Sequence, residues 1–221
     1  MYDLFRRIVD VFISVIALVV LSPLLLMIAL IVYFTSPGGV FYCSRRIGKN
    51  EKPFTLYKFR SMVSGADKIG ALNVAHTDAR VTPVGRVLRT TKLDELPQFF
   101  NVIIGDVTLI GPRADIPEYI KKVPDQKKKL ILSVNPGLSD WASLFAFAQY
   151  ADFAKASDPD EYHIKYIHPV KLALQEYYVR NRSLTTDIHI FILTALRMIK
   201  INPGIPAHVK KIINEAKKNI D

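Results

Sequence analysis

The sequence is poor in cysteine and in acidic residues. Its one cysteine, Cys43, excludes an internal disulfide framework, so we expect a reducing compartment. The 20 acidic residues are outnumbered by 30 basic ones, which gives a formal net charge of +10. Such a surplus favours polyanionic partners, namely nucleic acid, anionic lipid headgroups or phosphorylated substrates. The charge alone does not choose among the three.

Familiar phosphate-binding and metal-binding motifs are also absent from the sequence. It contains no Walker loop, no glycine-rich dinucleotide fingerprint and no His/Cys cluster spaced for zinc, and its five histidines are scattered. A phosphorylated substrate would therefore have to be bound by arginines, lysines and a metal ion held by carboxylates.

One long apolar run lies near the N-terminus. Residues 11–33 include no charged side chain, and at helical rise they extend roughly 34 Å, about the thickness of a bilayer core. Ser22 and Pro23 interrupt the run and predict a kink, which the serine hydroxyl makes tolerable in lipid. Both flanks are basic: Arg6, Arg7, Arg45, Arg46, Lys49 and Lys52. Because basic flanks favour the cytoplasmic side, we predict a re-entrant membrane helix over residues 1–35 rather than a spanning one. A buried core helix is the alternative.

The rest of the sequence predicts a compact cytosolic domain, mainly α with a small β component (α+β). The segments VFYCSRRIG and PFTLYKFRSMV are typical of a β-hairpin and VTLI of a short strand, while Pro97 and Gly105 suit the start and end of a helix. Helical spacing extends over residues 116–134 and 171–200. We place the main domain at residues 36–202 and an amphipathic tail at residues 203–221.

Aromatic residues in the C-terminal half leave two interpretations open. Trp141, Phe145, Phe147 and Tyr150 fit an aromatic belt on amphipathic helices at a membrane interface, and they fit an ordinary core equally well.

Two adjacent acids, Asp94 and Glu95 in TTKLDELPQFFN, are conspicuous in this basic chain. A helix that begins near Pro97 would place both at its positive end, where capping is sufficient to explain an acidic pair. Several basic residues are candidates to join them: Lys58, Arg60, Arg86, Arg89 and Arg113. Such a group forms either plain surface ion pairs or a site where a carboxylate attacks phosphorus while cations neutralise the phosphate oxygens.

Longer motifs in the sequence resemble the bacterial sugar transferase family of small monotopic phosphoglycosyl transferases. They are YKFRSM, the block TPVGRVLRTTKLDELPQFFNVIIGDVTLIGPR, NPGL, and the Ser-Pro pair of the first helix, and the likeness extends to RSLTTDI. The chain departs from the family pattern twice. It has GPRAD where many members have GPRP, and PGLSDWASLF where many have PGxTGxAQV.

The resemblance implies an enzyme that transfers a sugar 1-phosphate from a UDP-sugar to a polyprenol phosphate (undecaprenyl phosphate) and releases UMP. This is the first membrane step of glycoconjugate or polysaccharide biosynthesis. The resemblance further implies a membrane helix broken at Ser22 and Pro23, with the N-terminus and the catalytic domain both on the cytoplasmic face of the prokaryotic inner membrane.

The resemblance also assigns roles within the site. Asp94 would be the covalent nucleophile with Glu95 beside it, and both would hold Mg²⁺. Lys58, Arg89 and Arg113 fall on the family's basic positions and would bind phosphates. Arg60 and Arg86 are further candidates for phosphate binding.

Two alternatives stay open at this point. A non-catalytic, membrane-anchored basic module that binds anionic lipid or nucleic acid would explain the anchor and the charge, but no nucleic-acid motif is recognised and we expect no such partner. Within enzymes, Asp94 or Glu95 could act as general base in a direct displacement. The polyprenol and the oligomeric state are undetermined, a homodimer being one option, and the short form favours an N-acetylated amino sugar.

Overall fold

A computed structural model describes residues 1–66, 69, 78–146, 158–218 and 220. Within these residues the chain is mostly helical with two small sheets, as the predicted α+β class requires. The helices are α1 (Tyr2–Val20), α2 (Ser22–Thr35), α3 (Pro83–Thr91), α4 (Gln98–Ile104), α5 (Pro117–Ile120), α6 (Asp125–Ile131), α7 (Pro159–Tyr162), α8 (His168–Asn181), α9 (Leu184–Met198) and α10 (Ala207–Lys218). The strands are β1 (Phe41–Ile47), β2 (Pro53–Phe59), β3 (Thr108–Ile110) and β4 (Gly137–Ser139). Short 3₁₀ turns at Lys49–Glu51 and Leu93–Glu95, a π turn at His163–Ile167 and a helical segment at 141–146 complete the described elements.

The predicted hairpin and the VTLI strand are confirmed. Strands β1 and β2 pair antiparallel with Ser44 opposite Leu56. Strand β3 pairs in parallel with β4. The sequence did not predict β4, because its first residue, Gly137, belongs to a Pro-Gly turn signal. Gly137 is needed at this contact, since a Cβ added to it would lie 2.1 Å from the backbone nitrogen of Gly111.

The main core lies between the parallel pair and the C-terminal helices. Trp141 (2% exposed) and Phe145 belong to it, so these two aromatics are core residues and not part of an interfacial belt. Phe147 and Tyr150 lie outside the described residues. Val209 and Ile213 of α10 are buried in the same core, so the predicted tail helix packs on the domain.

The two long helical segments predicted in the C-terminal half are each divided. Residues 116–134 form α5 and α6, and Pro124 lies at the start of α6, where its ring disfavours a helical residue before it. Residues 171–200 divide into α8 and α9. The first helix ends at Asn181, and Ser183 caps the second by accepting a hydrogen bond from the Thr186 amide at 3.2 Å.

The N-terminal apolar run forms two helices that meet at Leu21 with a bend of 64°. The Ser22 hydroxyl donates to the Val19 carbonyl at 2.8 Å, which compensates part of the break. Among the described helices none is by itself long and apolar enough to cross a membrane, and only the bent pair α1 and α2 together meets those two requirements.

Both ends of this bent pair lie against the domain. Near its start, Arg6 is buried, forms an ion pair with Asp187 at 3.3 Å and donates to the Thr108 hydroxyl at 2.9 Å. Arg7 donates to the backbone carbonyls of Val102 and Ile103 in α4. Near the end of the pair, Ile28 and Val32 of α2 pack with Phe59 and Leu88 of the domain.

Candidate active site

Asp94 and Glu95 lie in the 3₁₀ turn Leu93–Glu95, between α3 and α4. Helix α3 is followed by Lys92, whose left-handed backbone (φ 60°) turns the chain sharply into the acidic pair. Helix α4 begins after Pro97, and no side chain among the described residues caps it. The two carboxylates are therefore not held by helix capping, which was the simplest explanation of the pair from sequence.

Glu95 is held by two cations from distant parts of the chain. Lys58, on β2, donates to Glu95 Oε1 at 3.0 Å, and Arg113, just after β3, donates to the same oxygen. The Glu95 side chain is only 20% exposed. Burial by itself raises the pKa of Glu95, but Arg113 and then Lys58 outweigh it and hold that pKa well below its usual range. Glu95 is therefore ionised at neutral pH.

Asp94 has the opposite environment. It is 6% exposed, and its Oδ1 is buried without a hydrogen-bond partner among the described residues. Burial raises the pKa of Asp94 despite the ammonium of Lys58, and the neighbouring charge of Glu95 adds to the rise. An unpartnered buried carboxylate oxygen is costly, and such a group is a candidate nucleophile or metal ligand.

The other three predicted phosphate-binding residues, Arg60, Arg86 and Arg89, are not arranged around Glu95 as Lys58 and Arg113 are. Arg89, on α3, is close enough to lower the pKa of Asp94 partly, while Arg86 on the same helix is exposed. Arg60 donates to the backbone carbonyls of Gly39 and Phe41, and so contacts the link between α2 and β1. Phosphate binding by these three residues stays a prediction.

Two further cations, Arg46 and Lys92, lie near the acids and were not predicted as site residues from the sequence. Burial chiefly, with Arg113 and Arg46, lowers the pKa of Lys58, so Arg46 lies near this site. The charge of Lys92 contributes to the lowered pKa of Glu95 and offsets part of the rise in the pKa of Asp94. The register of the hairpin would have indicated Arg46. Arg46 lies opposite Phe54, and Phe54 and Lys58 are four residues apart on the same strand, so Arg46 and Lys58 share a face of the sheet.

The donor set fits a magnesium ion whose coordination is completed by substrate. In the part of the chain that the structure describes, no group of three or more His, Cys, Asp or Glu side chains is arranged to hold a metal by itself. Mg²⁺ is usually held by one or two carboxylates together with substrate phosphates. The unpartnered oxygen of Asp94, with Glu95 adjacent, meets that requirement.

Comparison with known proteins agrees with the sequence motifs. The bacterial sugar transferase family matches residues 1–201. UDP-N-acetylgalactosamine-undecaprenyl-phosphate N-acetylgalactosaminephosphotransferase of Aeromonas hydrophila is 37% identical over 87% of this chain and 43% of its own length. UDP-glucose:undecaprenyl-phosphate glucose-1-phosphate transferase of Klebsiella pneumoniae is 33% identical over 87% of this chain and 40% of its own length. The exopolysaccharide production protein PSS of Rhizobium leguminosarum bv. phaseoli is 34% identical over 90% of this chain and 97% of its own length.

The chain spans less than half the length of the first two relatives and nearly all of the third. The family match covers both the bent N-terminal helices and the acidic turn with its cations. The resemblance seen in the sequence motifs is thereby confirmed, and the chain belongs to the bacterial sugar transferase family.

Proposed function

We propose that this chain transfers a sugar 1-phosphate from a UDP-sugar to undecaprenyl phosphate at the cytoplasmic face of the bacterial membrane, and releases UMP. The names of the Aeromonas and Klebsiella relatives include undecaprenyl phosphate and a UDP-sugar, which supports both substrate classes. The observation that carries the proposal is the contrast within the acidic pair: Glu95 is bound by two cations, whereas one buried oxygen of Asp94 has no hydrogen-bond partner in the described part of the chain.

In the first step, an Asp94 carboxylate oxygen attacks the phosphorus that bears the sugar. The bond from that phosphorus to the bridging oxygen of the diphosphate breaks, and UMP leaves with the electron pair. In the second step, a phosphate oxygen of undecaprenyl phosphate attacks the same phosphorus. The bond to Asp94 breaks, the carboxylate is regenerated, and the product is an undecaprenyl diphosphate sugar.

The cations of the site offset repulsion between the anionic substrates and the acids. Lys58 and Arg113 are anchored by Glu95, so they are held in place before the diphosphate arrives. Asp94 and Glu95 would hold Mg²⁺, which when bound would neutralise charge on the diphosphate oxygens. Glu95 thus has a positioning role in addition to metal binding.

We also propose that α1 and α2 form a re-entrant hairpin in the membrane. Both ends of the pair contact the same domain, which supports entry and exit by one face. Large apolar side chains are exposed along both helices: Leu4, Phe5, Ile8, Phe12, Val15, Ile16, Val19, Val20, Leu26, Met27, Leu30, Ile31, Tyr33 and Phe34. Helix α9 is a candidate interfacial helix, because it exposes Leu184, Ile188, Phe191 and Ile192.

Topology is tested by cysteine labelling in a Cys43→Ser background, which removes the one native thiol. Asp3→Cys and Lys49→Cys place single thiols at exposed positions on either side of the hairpin. An impermeant maleimide should label both in inverted membrane vesicles and neither in spheroplasts. Labelling of the two positions from opposite sides would rule out the re-entrant arrangement.

The reaction is tested with purified protein in detergent, Mg²⁺, undecaprenyl phosphate and a panel of UDP-sugars. We expect UMP as the nucleotide product, and UDP would exclude transfer of a sugar phosphate. Without the lipid acceptor, the wild type should release at most one UMP per chain and retain a labelled phosphosugar, and Asp94→Asn should do neither. Release of UMP only when lipid is present, with no labelled protein, would favour direct displacement.

A further inference from the structure

The turn at residues 111–115 carries Arg113 to Glu95 and is held by groups that the proposed mechanism does not use. Its first residues continue the parallel pairing of β3 and β4. The Gly111 amide donates to the Ser139 carbonyl at 2.9 Å, and the Gly137 amide donates to the Pro112 carbonyl at 3.0 Å. The backbone entering Arg113 is thereby fixed against β4.

Asp140, which follows β4 directly, holds the backbone of Arg113 itself. The residue is fully buried, and its Oδ2 accepts a hydrogen bond from the Arg113 amide at 3.0 Å. Its Oδ1 accepts from the Ser143 amide at 2.6 Å and from the Ser143 hydroxyl at 2.7 Å. One buried carboxylate therefore joins the Arg113 turn to the start of the helical segment at 141–146.

Helix α8 holds the same turn from a second direction. Gln175 is buried, and its Nε2 donates to the Arg113 carbonyl at 3.0 Å and to Asp140 Oδ2 at 3.4 Å. Lys171, one helical turn earlier, pairs with the buried Asp115. Asp115 and Asp140 are the aspartates of GPRAD and PGLSDWASLF, the two departures from the family pattern, and the fold brings both to one turn.

These contacts leave Arg113 little freedom. Its amide, its carbonyl and its Nη1, which donates to the Leu138 carbonyl at 2.7 Å, all have partners within the fold. Its Nη2 donates to Glu95. A guanidinium fixed in this way loses less conformational freedom when it binds a phosphate.

We propose that Asp140, assisted by Gln175, is a positioning residue for Arg113 and keeps its guanidinium directed at Glu95 and the incoming phosphates. The effect on catalysis rests on the proposed function, whereas the effect on the geometry of Arg113 does not. Two independent measurements therefore test the two parts.

The geometry is tested by the guanidinium NMR signals of ¹⁵N-arginine-labelled protein, with Arg113 assigned through Arg113→Lys. Asp140→Asn keeps the shape of the side chain but removes its charge and one acceptor. The Arg113 signal should shift or broaden in this variant. Gln175→Met, which removes the amide without changing the volume much, should perturb the same signal if Asp140→Asn fails to fold. Ser143→Ala is the matched control, because it removes a hydrogen bond from Asp140 Oδ1 only, and it should leave the signal in place.

The catalytic part is tested by UMP release in a double-mutant cycle. Asp140→Asn should lower kcat/KM about tenfold, as expected from one lost hydrogen bond to a charged group, and Ser143→Ala less than about twofold. In an Arg113→Ala background, Asp140→Asn should cause no further loss, because the group that it positions is gone. A merely structural role would give additive losses.

The outcomes separate the two proposals. If the wild type releases no UMP, the proposed function fails and the NMR comparison still decides the positioning. An Arg113 signal that is unchanged in both Asp140→Asn and Gln175→Met overturns the positioning inference, as do additive losses in an active enzyme.

Discussion

Glu95→Gln is the most informative single change, because Glu95 is where two cations converge. The amide keeps the size of the side chain and an acceptor oxygen but removes the charge. Lys58 and Arg113 are then left close together without their shared counter-charge. Burial already lowers the pKa of Lys58 and the charge of Glu95 opposes that effect, so we expect the pKa of Lys58 to fall further in the variant.

The loss of stability follows from the two contacts. A hydrogen bond between charged groups contributes roughly 1.5–3 kcal/mol, and breaking a fully buried ion pair costs about 3–5 kcal/mol. The side chains here are 20–29% exposed, so we expect a loss of stability toward the lower end of the combined range of roughly 1.5–5 kcal/mol. We expect the free energy of unfolding to fall by about 2.5 kcal/mol. With a urea m-value of about 2.5 kcal/mol/M, the midpoint falls by about 1 M.

The assay uses the one tryptophan of the chain. Trp141 lies in the main core, so its fluorescence in detergent reports unfolding of that core. Glu176→Gln is the matched control, since Glu176 also pairs with two cations but both of them are largely exposed: Arg180 (61%) at 3.0 Å and Lys127 (46%) at 3.8 Å. Exposed pairs of this kind contribute about 0.2–1 kcal/mol each.

The pH dependence supplies a second check. The pKa of Glu95 is lowered in the folded protein from its ordinary 4.5, so its stabilising effect is complete above that value and disappears as pH falls through the lowered pKa. The difference in the free energy of unfolding between wild type and Glu95→Gln should shrink as the pH falls below about 4. Equal midpoints for the Glu95 and Glu176 variants, or a difference that grows on acidification, would refute the reasoning.

Three further predictions test other parts of the molecule, and each is measured by the same unfolding assay. Asp94→Asn should stabilise the protein by roughly 1 kcal/mol while abolishing UMP release. The pKa of Asp94 is raised in the folded state, so stability is lost as pH rises past its ordinary 3.8, and the amide avoids that loss; a less stable variant would contradict this. Asp187→Asn should cost roughly 3–5 kcal/mol because it leaves Arg6 buried without its nearer counter-charge, and an unchanged midpoint would count against this docking of α1. Ile213→Ala should cost roughly 2–4 kcal/mol and Lys210→Ala less than about 0.5 kcal/mol; equal effects would mean that α10 is not part of the core.

Local patterns in the sequence predicted local structure well. The strand-like segments VFYCSRRIG and PFTLYKFRSMV predicted the hairpin, and Pro97 and Gly105 predicted the limits of α4, because each signal acts through backbone geometry within a few residues. Strand β4 was missed, since parallel pairing with β3 joins segments about 30 residues apart and has no local signature. The sequence also did not decide whether Trp141 lies in the core or at a membrane interface, because the same side chain suits both places.

The candidate site shows the same division. Arg86 and Arg89 both lie close to Asp94 in the sequence. In the structure Arg86 is exposed, whereas the charge of Arg89 offsets part of the rise in the pKa of Asp94. Lys58 is 37 residues from Glu95, and it reaches that acid because the hairpin returns β2 to the acidic turn.

The sequence by itself determined the family, the basic character, the acidic pair and the broken apolar run. These are properties of composition and of contiguous motifs, and they require no knowledge of the fold. Only the tertiary structure decided that Glu95 is bound by cations while one oxygen of Asp94 has no partner among the residues that the structure describes, and that Asp140 and Gln175 hold Arg113. The physical reason is that burial and hydrogen bonding set the charge state of each carboxylate, and both depend on which distant segments the fold brings together.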